Sequence, residues 1–428
     1  MTTLVVMVRI YDAAVVGAGP AGLSAAAAIT AAGGRCIVLE QGKGHTTRDR
    51  HAPEQILSGV GGAGLFSDGK HSFYPSATEL WRLPDAAALA AAYAETRSVL
   101  ARHGVDAPRP PSLPLRLPSR GDGDGDGDVA SAWHLKRYPS LYASLEERMR
   151  CIADLYEQCG ELPWLSARVV GAARARSGDL ISLEVDQHGE RRLVEARALV
   201  VATGRLSPRW LRTWLEPLGV AFAFRRLEIG VRLETLASAP LFTMLDGVDP
   251  KLSFAEKGTK LLTFCTCRDG EVVIGSAGNI DSVSGRADGP RTGRSNVGLL
   301  ARITDVALAR EIEPHVFASA ASFRAPLTEM VRGASADARM VATFGAAGAA
   351  VVGRALERFL ERFPELATDS AAIVHAPCIE GVGDYPVSND HLEAAPGVFV
   401  AGDAGGRFRG IVASMISGRY VGSRLARR

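Results

Sequence analysis

Gly17-Ala18-Gly19-Pro20-Ala21-Gly22 stands between the apolar run Ala13-Ala14-Val15-Val16 and an alanine-rich stretch that reaches Ala32. An apolar run bounded by glycine predicts a buried strand beginning near Tyr11, and the stretch from Ala21 to Ala32 predicts a helix. A second apolar run, Arg35 to Leu39, predicts another strand, so the segment opens a βαβ unit. In that context each glycine has its own task. Gly17 permits the tight turn, Gly19 lets a pyrophosphate approach the backbone, and Gly22 allows close helix packing. Pro20 and Ala21 then form the first turn of a helix whose unpaired N–H groups and dipole favour an anion. Glu40 ends the second strand 18 residues beyond Gly22, where its carboxylate can accept both hydroxyls of a ribose, with Gln41 beside it. An acid there repels a 2′-phosphate and disfavours NADP.

The 428 residues are 47% hydrophobic, enough to bury a large core in two or three domains. The chain carries 49 Lys and Arg against 47 Asp and Glu, so no global field marks it for nucleic acid or an anionic membrane surface. Cys36, Cys151, Cys159, Cys265, Cys267 and Cys378 follow no repeating spacing, which suits a reducing, cytoplasmic compartment and not a disulfide scaffold. The run Leu4 to Ile10 is broken by Arg9 and lacks the flanks of a signal peptide. No window approaches the roughly 20 consecutive apolar residues of a membrane span. The expectation is a protein without membrane insertion; the oligomeric state stays open.

Farther along, Ser166 to Val201 alternates apolar and polar residues, with breaks at Ser177-Gly178 and His188-Gly189, as a small antiparallel meander does. It contains Val169 and runs into Leu199-Val200-Val201-Ala202-Thr203-Gly204. Ala107 to Asp128 joins prolines to a Gly-Asp repeat, a composition that builds no core and reads as a linker. Asp122, Asp124 and Asp126 imitate a calcium loop, but Trp133 holds the position that needs a bidentate Glu, so no metal site is expected. Leu206 to His375 mixes strands such as Lys260 to Cys265 and Val272 to Ile274 with helices such as Val351 to Phe363, an α+β composition. Gly397 to Ala401 reads as a last buried strand, before a helix that starts near Ile411.

Val400-Ala401-Gly402-Asp403-Ala404-Gly405 resembles the segment by which FAD proteins of the glutathione-reductase-like superfamily bind the ribityl chain, with the Asp carboxylate on a ribityl hydroxyl. That resemblance selects FAD over NAD. Thr203-Gly204 resembles the second fingerprint of the same superfamily. More specifically, Gly59-Val60-Gly61-Gly62-Ala63-Gly64-Leu65-Phe66-Ser67-Asp68-Gly69-Lys70 resembles the signature loop of an uncharacterised family of FAD-dependent dehydrogenases, where it passes beside the flavin. Ile229-Gly230-Val231-Arg232, Thr263-Phe264-Cys265 with Gly270-Glu271-Val272, Arg294-Ser295-Asn296 and Arg409-Gly410-Ile411 extend the likeness over most of the chain. Val60 and Thr266-Cys267-Arg268 depart from the family's pattern and leave the substrate open.

The resemblance implies an α/β fold: an FAD-binding Rossmann-type domain of parallel sheet, helices and β-meander, with an inserted α+β substrate domain. The FAD-binding domain is then expected from segments 1–75, 140–208 and 376–428, with an insertion at 76–139 and the substrate domain at 209–375. Gly62, Ala63, Gly64 and Ser67 are expected at the flavin. The last helix is expected to open at Arg409, Gly410 and Ile411 under the pyrimidine end of the ring, where its positive pole favours the reduced anion.

Lys70, His71, His375 and Tyr385 are candidates for proton transfer or substrate orientation. Arg232, Arg291 and Arg294 have the fork geometry that grips a carboxylate. A structural or surface role competes for each of them. Cys265 and Cys267 have one residue between them, not the two of redox disulfides, and lie on a strand-like run, so they read as packing. The expected activity is hydride transfer between flavin N5 and a small or medium-sized organic molecule by a dehydrogenase, oxidase or reductase. An NAD(P)H-dependent flavin monooxygenase and a flavin-bound module without turnover are the alternatives. The glycine cluster from Gly345 to Gly353 has the wrong spacing for a second nucleotide unit and reads as a helix-packing face, so no nicotinamide domain is expected.

Overall fold

The apolar run at the start becomes strand β1 (Ile10–Val16) in the computed structural model, which describes residues 9–109, 133–176, 178–256, 258–318, 322–331 and 333–427. The Gly-Asp repeat, and with it the linker and calcium-loop readings, lies outside the described residues. Helix α1 (Pro20–Ala31) and strand β2 (Cys36–Leu39) complete the opening unit, and β1 runs parallel to β2 with Val15 opposite Val38. Both faces of this sheet are covered, which is why its strands read as continuous apolar runs.

The chain continues through β3 (Lys70–Ser72), helix α2 (Ala86–Arg102), β4 (His134–Lys136), β5 (Ser140–Tyr142) and helix α3 (Leu145–Glu157). The meander follows as β6 (Ala167–Arg174), β7 (Ile181–Gln187) and β8 (Glu190–Val201). Strand β8 serves two partners. Residues 190–196 pair antiparallel with β7, while the stretch from Glu195 to Val201 runs parallel to β1.

A second set of strands comprises β9 (Phe222–Leu236), β10 (Lys251–Glu256), β11 (Thr259–Cys267), β12 (Glu271–Ala277), β13 (Ile280–Arg286), β14 (Arg294–Ile303) and β15 (Phe323–Pro326). Helix α4 (Ala338–Arg362) and strand β16 (Ile373–Pro386) close it, and the chain returns through β17 (Glu393–Ala395), β18 (Val398–Val400) and helix α5 (Ile411–Leu425).

The first sheet has the order β17-β18-β8-β1-β2 with the meander attached at β8; the second is antiparallel, β15-β16-β9-β14-β11-β10-β4. The first sheet packs one face through Val15, Val38 and Val200 onto α1 and α5, and the other through Ala14, Ile37 and Leu199 onto Leu211 and Leu215. A Cβ on Gly418 of α5 would overlap the Ala21 carbonyl of α1, so glycine sets how closely these helices meet. The second sheet packs Ile229, Val231 and Val297 against Phe344, Val352 and Phe359 of α4.

Three details differ from the sequence reading. Strand β16 stays in the second sheet to Pro386, past residue 376, because it pairs with β9 along its whole length through successive bulges. Strand β4, from the segment read as an insertion, joins the edge of the second sheet beside β10. Helix α4 starts at Ala338, well before Val351, and carries the Gly345 cluster; Gly345 itself is non-helical (φ 70°) where the His315 ring packs against it. Helix α4 is long and apolar enough to cross a membrane by length and composition, yet its Met340, Phe344, Val352 and Phe359 are core residues.

Candidate flavin site

A cavity of about 1610 Å³ opens at the C-terminal ends of β1, β2 and β8 and extends to the second sheet. It exceeds the roughly 300–1,000 Å³ usual for a single small ligand, so a dinucleotide and a substrate can share it. Gly17, Gly19, Pro20, Ala21, Glu40 and Gln41 line one end, with Val169, Thr203 and Gly204 from the meander beside them. Gly62, Ala63, Gly64 and Ser67 form the roof; Gly402, Asp403, Arg409, Gly410 and Ile411 close the other side. Gly22 is not on the wall. Its missing side chain makes room for the Gly17 carbonyl.

Two helices point their N-termini at this space. Both α1 and α5 start at glycine N-caps, Gly19 and Gly410, with no side-chain cap. Their first N–H groups are therefore available to an anion or to the polar edge of a ring. Glu40 is buried at the end of β2 and accepts from the backbone N–H of Ala18 at 2.8 Å, of Gly42 at 2.8 Å and of Gly59 at 3.2 Å. It thus ties the glycine turn to the signature loop, keeping part of its acceptor capacity for a ribose.

Arg48, which the sequence reading missed, holds that loop in place. Its buried guanidinium donates to the carbonyls of Gln55 (Nη2, 2.5 Å), Ile56 (3.2 Å), Val60 (2.7 Å) and Gly62 (3.0 Å). One planar fork satisfies four backbone carbonyls between Gln55 and Gly62. Nothing in the polar run around Arg48 singles it out in the sequence.

At the opposite end Asp403 Oδ2 meets Arg409 Nε at 3.3 Å, while Asp403 Oδ1 is buried without a hydrogen-bond partner. A buried orphan acceptor on the cavity wall fits a hydroxyl donor, as a ribityl chain provides. Arg409 is locked by Glu228 at 2.8 Å, which also binds Arg302 at 2.5 Å and Arg226 at 3.1 Å. Burial would raise the Glu228 carboxyl, but its three guanidinium partners hold it well below the usual range. This ion cluster joins the approach to α5 to the second sheet.

Of the seven proton-transfer and orienting candidates, only Lys70 lies on the described wall of the cavity. Lys70 and His71 are neighbours on β3, so their side chains leave on opposite faces. His71 is buried with Nδ1 at 3.1 Å from the Gly69 carbonyl, and burial lowers it to about 4. His375 is bound by Nε2 to Glu234 at 3.0 Å. The Tyr385 hydroxyl accepts from the Val382 N–H at 3.0 Å, and burial raises it to about 12. Arg232 is 1% exposed and spends its guanidinium on Asn296 Oδ1 at 2.6 Å, the Cys265 carbonyl and Cys267 Sγ at 3.5 Å. It cannot grip a substrate carboxylate from there. Arg291 binds Asp269 at 2.6 Å and Arg294 binds the Ala371 carbonyl at 2.6 Å, both off the cavity wall.

Two wall features were not anticipated. Tyr138 donates to Asp249 at 2.6 Å, with the Lys251 ammonium 3.8 Å from the same carboxylate. Burial first, and then Asp249, raise the Tyr138 hydroxyl to about 12. The second feature is the cysteine pair. Alternate residues on a regular strand stand about 6.5 Å apart, yet Cys265 Sγ and Cys267 Sγ lie 3.6 Å from each other. The cause is a bulge: Cys265 has φ 52°, and the register with β14 shifts between Phe264 and Cys267. Asp68 Oδ2 accepts from Cys265 Sγ at 2.9 Å and contacts Lys70 Nζ at 2.9 Å. Burial works against the Asp68 charge, but Lys70 and Cys265 pull the carboxyl down to about 2.

The FAD binding domain family matches residues 12–48, the βαβ opening. No curated protein matches the chain in sequence. Among solved structures, the protein AlpK is 14% identical, with 96% of this chain and 60% of that chain covered and a TM-score of 0.41. A flavoprotein/dehydrogenase from Cytophaga hutchinsonii is 12% identical, covering 98% of this chain and 77% of its own, with a TM-score of 0.42. A geranylgeranyl bacteriochlorophyll reductase-like protein from Thermoplasma acidophilum is 13% identical, covering 98% and 78%, with a TM-score of 0.45. This chain spans 60% of the length of AlpK. The matched βαβ opening, the two uncapped helix N-termini and the orphan acceptor on Asp403 agree on one ligand. The chain is an FAD-binding flavoprotein with a Rossmann-type domain.

Proposed function

We propose that this flavoprotein is an FAD-dependent dehydrogenase, oxidase or reductase that exchanges a hydride between flavin N5 and a small or medium-sized organic substrate. The observation that supports it is one continuous cavity that holds both the dinucleotide cradle and a wall of ionisable side chains, Lys70, Tyr138 and Lys251. FAD, when bound, supplies the two-electron exchange; the chain binds it, orients the substrate and manages protons. Residues 209–375 contribute Lys251 to the substrate side, and Lys70 and Tyr138 come from the chain before the meander.

Lys70 is the catalytic candidate kept from the sequence. Burial opposes its charge, but Asp68 and the two cysteine sulfurs raise its pKa well above the ordinary value, so it stays an ammonium. Two of its three N–H bonds go to Asp68 and the Thr266 carbonyl, which leaves one for a substrate oxygen. Tyr138 keeps its proton at neutral pH and serves as a donor, not a base.

The test is anaerobic stopped-flow mixing of the oxidised holoprotein with a panel of small alcohols, amines and carboxylic acids, and separately with NADH and NADPH. Flavin bleaching by one of the organic compounds and slow bleaching by both nicotinamides is the expected result. Fast reduction by a nicotinamide, accelerated by a second compound, would overturn the proposal in favour of a monooxygenase.

A further inference from the structure

The cysteine pair is a built site. Cys265 Sγ, on the cavity wall, stands 3.6 Å from Cys267 Sγ. Both sulfurs face the Asp68 carboxylate, unequally: Oδ2 lies 2.9 Å from Cys265 Sγ and 3.9 Å from Cys267 Sγ. Cys265 donates its proton to Asp68 at 2.9 Å, and Cys267 faces the Arg232 guanidinium at 3.5 Å. A fully buried arginine needs a counter-charge, and the other partners of Arg232 are the neutral Asn296 amide and the Cys265 carbonyl. A thiolate on Cys267 meets that need. Gly285 of β13 clears the space, since a Cβ there would lie 2.5 Å from Cys267 Sγ and 2.6 Å from Arg232 Cζ. Cys265 holds its positive φ of 52° although it is not glycine, a conformation that persists only where the surroundings impose it.

We propose that Cys265 and Cys267 form a reversible dithiol/disulfide couple that exchanges two electrons with the bound FAD. Closing the bridge joins the two sulfurs, moves the Cys265 proton toward Asp68 and releases two electrons. Starting from a Cys267 thiolate and a Cys265 thiol, this yields one proton and one electron pair, the equivalents that oxidised FAD, when bound, would accept to become its reduced anion, so atoms and charge balance. The reverse reaction opens the bridge at the expense of reduced FAD. Burial and the Asp68 charge oppose a thiolate at Cys267, but the contact with Cys265 and the charges of Lys70 and Arg232 lower it, while that same contact, burial and Asp68 raise Cys265. The pair is thus divided into the nucleophile and the proton donor that thiol–disulfide chemistry uses.

Asp68, Cys265 and Cys267 also offer three metal-ligand atoms within 4.8 Å of one another. Lys70 Nζ at 2.9 Å from the carboxylate and the Arg232 guanidinium beside Cys267 place two buried cations where a metal would need a fourth ligand. Charge therefore favours the redox pair over a metal site.

The proposal rests on the redox use of FAD, so the test reads thiols and flavin separately. Holoprotein is treated with diamide, freed of excess reagent, denatured, alkylated and peptide-mapped. A 265–267 disulfide is expected, with Cys36, Cys151, Cys159 and Cys378 alkylated. In parallel, anaerobic dithionite titration of the diamide-treated holoprotein is followed by flavin absorbance. Twice as many electrons per FAD are expected as in Cys265→Ser or Cys267→Ser, while Cys36→Ser matches the wild type. Free thiols at both positions after diamide overturn the couple even where the flavin is reduced normally by substrate. A stoichiometric zinc ion that shields both thiols from alkylation overturns it as well. A disulfide whose presence leaves the electron count of the wild type unchanged overturns the exchange with FAD. The peptide map needs no variant, so a Cys→Ser protein that fails to fold does not spare the proposal.

Discussion

Replacing Gly19 by alanine separates a glycine kept for the cofactor from one kept for the fold. Gly19 has φ −75° and ψ 179°, extended backbone that any residue adopts, and a Cβ there meets nothing nearer than the Gly62 Cα at 3.8 Å. Folding without FAD should lose nothing and gain about 0.4–1 kcal/mol from the stiffer unfolded chain. Gly17 is the contrast: φ is +101°, and a Cβ would stand 2.6 Å from the Ala202 carbonyl oxygen. Left-handed strain of about 1–2 kcal/mol and overpacking of about 1–3 kcal/mol should destabilise Gly17→Ala apoprotein by about 2–5 kcal/mol. For FAD the order differs. The Gly19 methyl occupies the approach to the α1 N-terminus, and each lost hydrogen bond to a charged phosphate costs about 1.5–3 kcal/mol, or about 10- to 150-fold in Kd. Urea unfolding of the apoproteins and fluorescence titration with FAD measure the two effects. Wild-type FAD affinity in Gly19→Ala, or apoprotein stability as poor as that of Gly17→Ala, refutes the reasoning.

Asp403→Ala removes the orphan acceptor and should weaken FAD by about 10- to 150-fold, far more than Cys378→Ser; an unchanged Kd for FAD would refute the ribityl contact. Arg48→Leu strands four loop carbonyls and should cost about 3 kcal/mol in urea unfolding, together with much of the FAD content; wild-type stability would show that the loop holds itself. Burial lowers His71 to about 4 from an ordinary value of 6.5, so its contribution to stability is present above pH 6.5 and is lost as pH falls through 4. Between those values the unfolded chain binds the extra proton, and the loss amounts to about 3 kcal/mol. His71→Phe should flatten the pH dependence of thermal unfolding in that window, and an equally steep profile in the variant would reject this.

Much of the cofactor cradle was legible in the residues. The βαβ opening, the acid at the end of β2, the meander and the glycines around Asp403 are local patterns, and strand, turn and helix periodicities can be read without knowing what packs where. The catalytic candidates were not legible in the same way. His71 stands next to Lys70 in the chain, and one step along a strand sends it into the core. Arg232 was read as a carboxylate grip, yet β14, β11 and β13 enclose it between Asn296, Cys267 and Gly285. No stretch of sequence contains that cage.

The cysteine pair marks the boundary most clearly. With one residue between them on a strand, Cys265 and Cys267 carry no redox signature in sequence, because regular strand geometry keeps alternate residues about 6.5 Å apart. A positive φ at Cys265, a register shift against β14 and the charges of Asp68, Lys70 and Arg232 from distant segments bring the sulfurs to 3.6 Å and divide their protonation. The amino-acid order by itself determined the nucleotide-binding unit and the alternation of layers, since these follow from short-range hydrophobic period and glycine stereochemistry. Only the tertiary structure decided which ionisable groups share the cavity, because that depends on contacts between residues some 200 positions apart, such as Asp68 with Cys265.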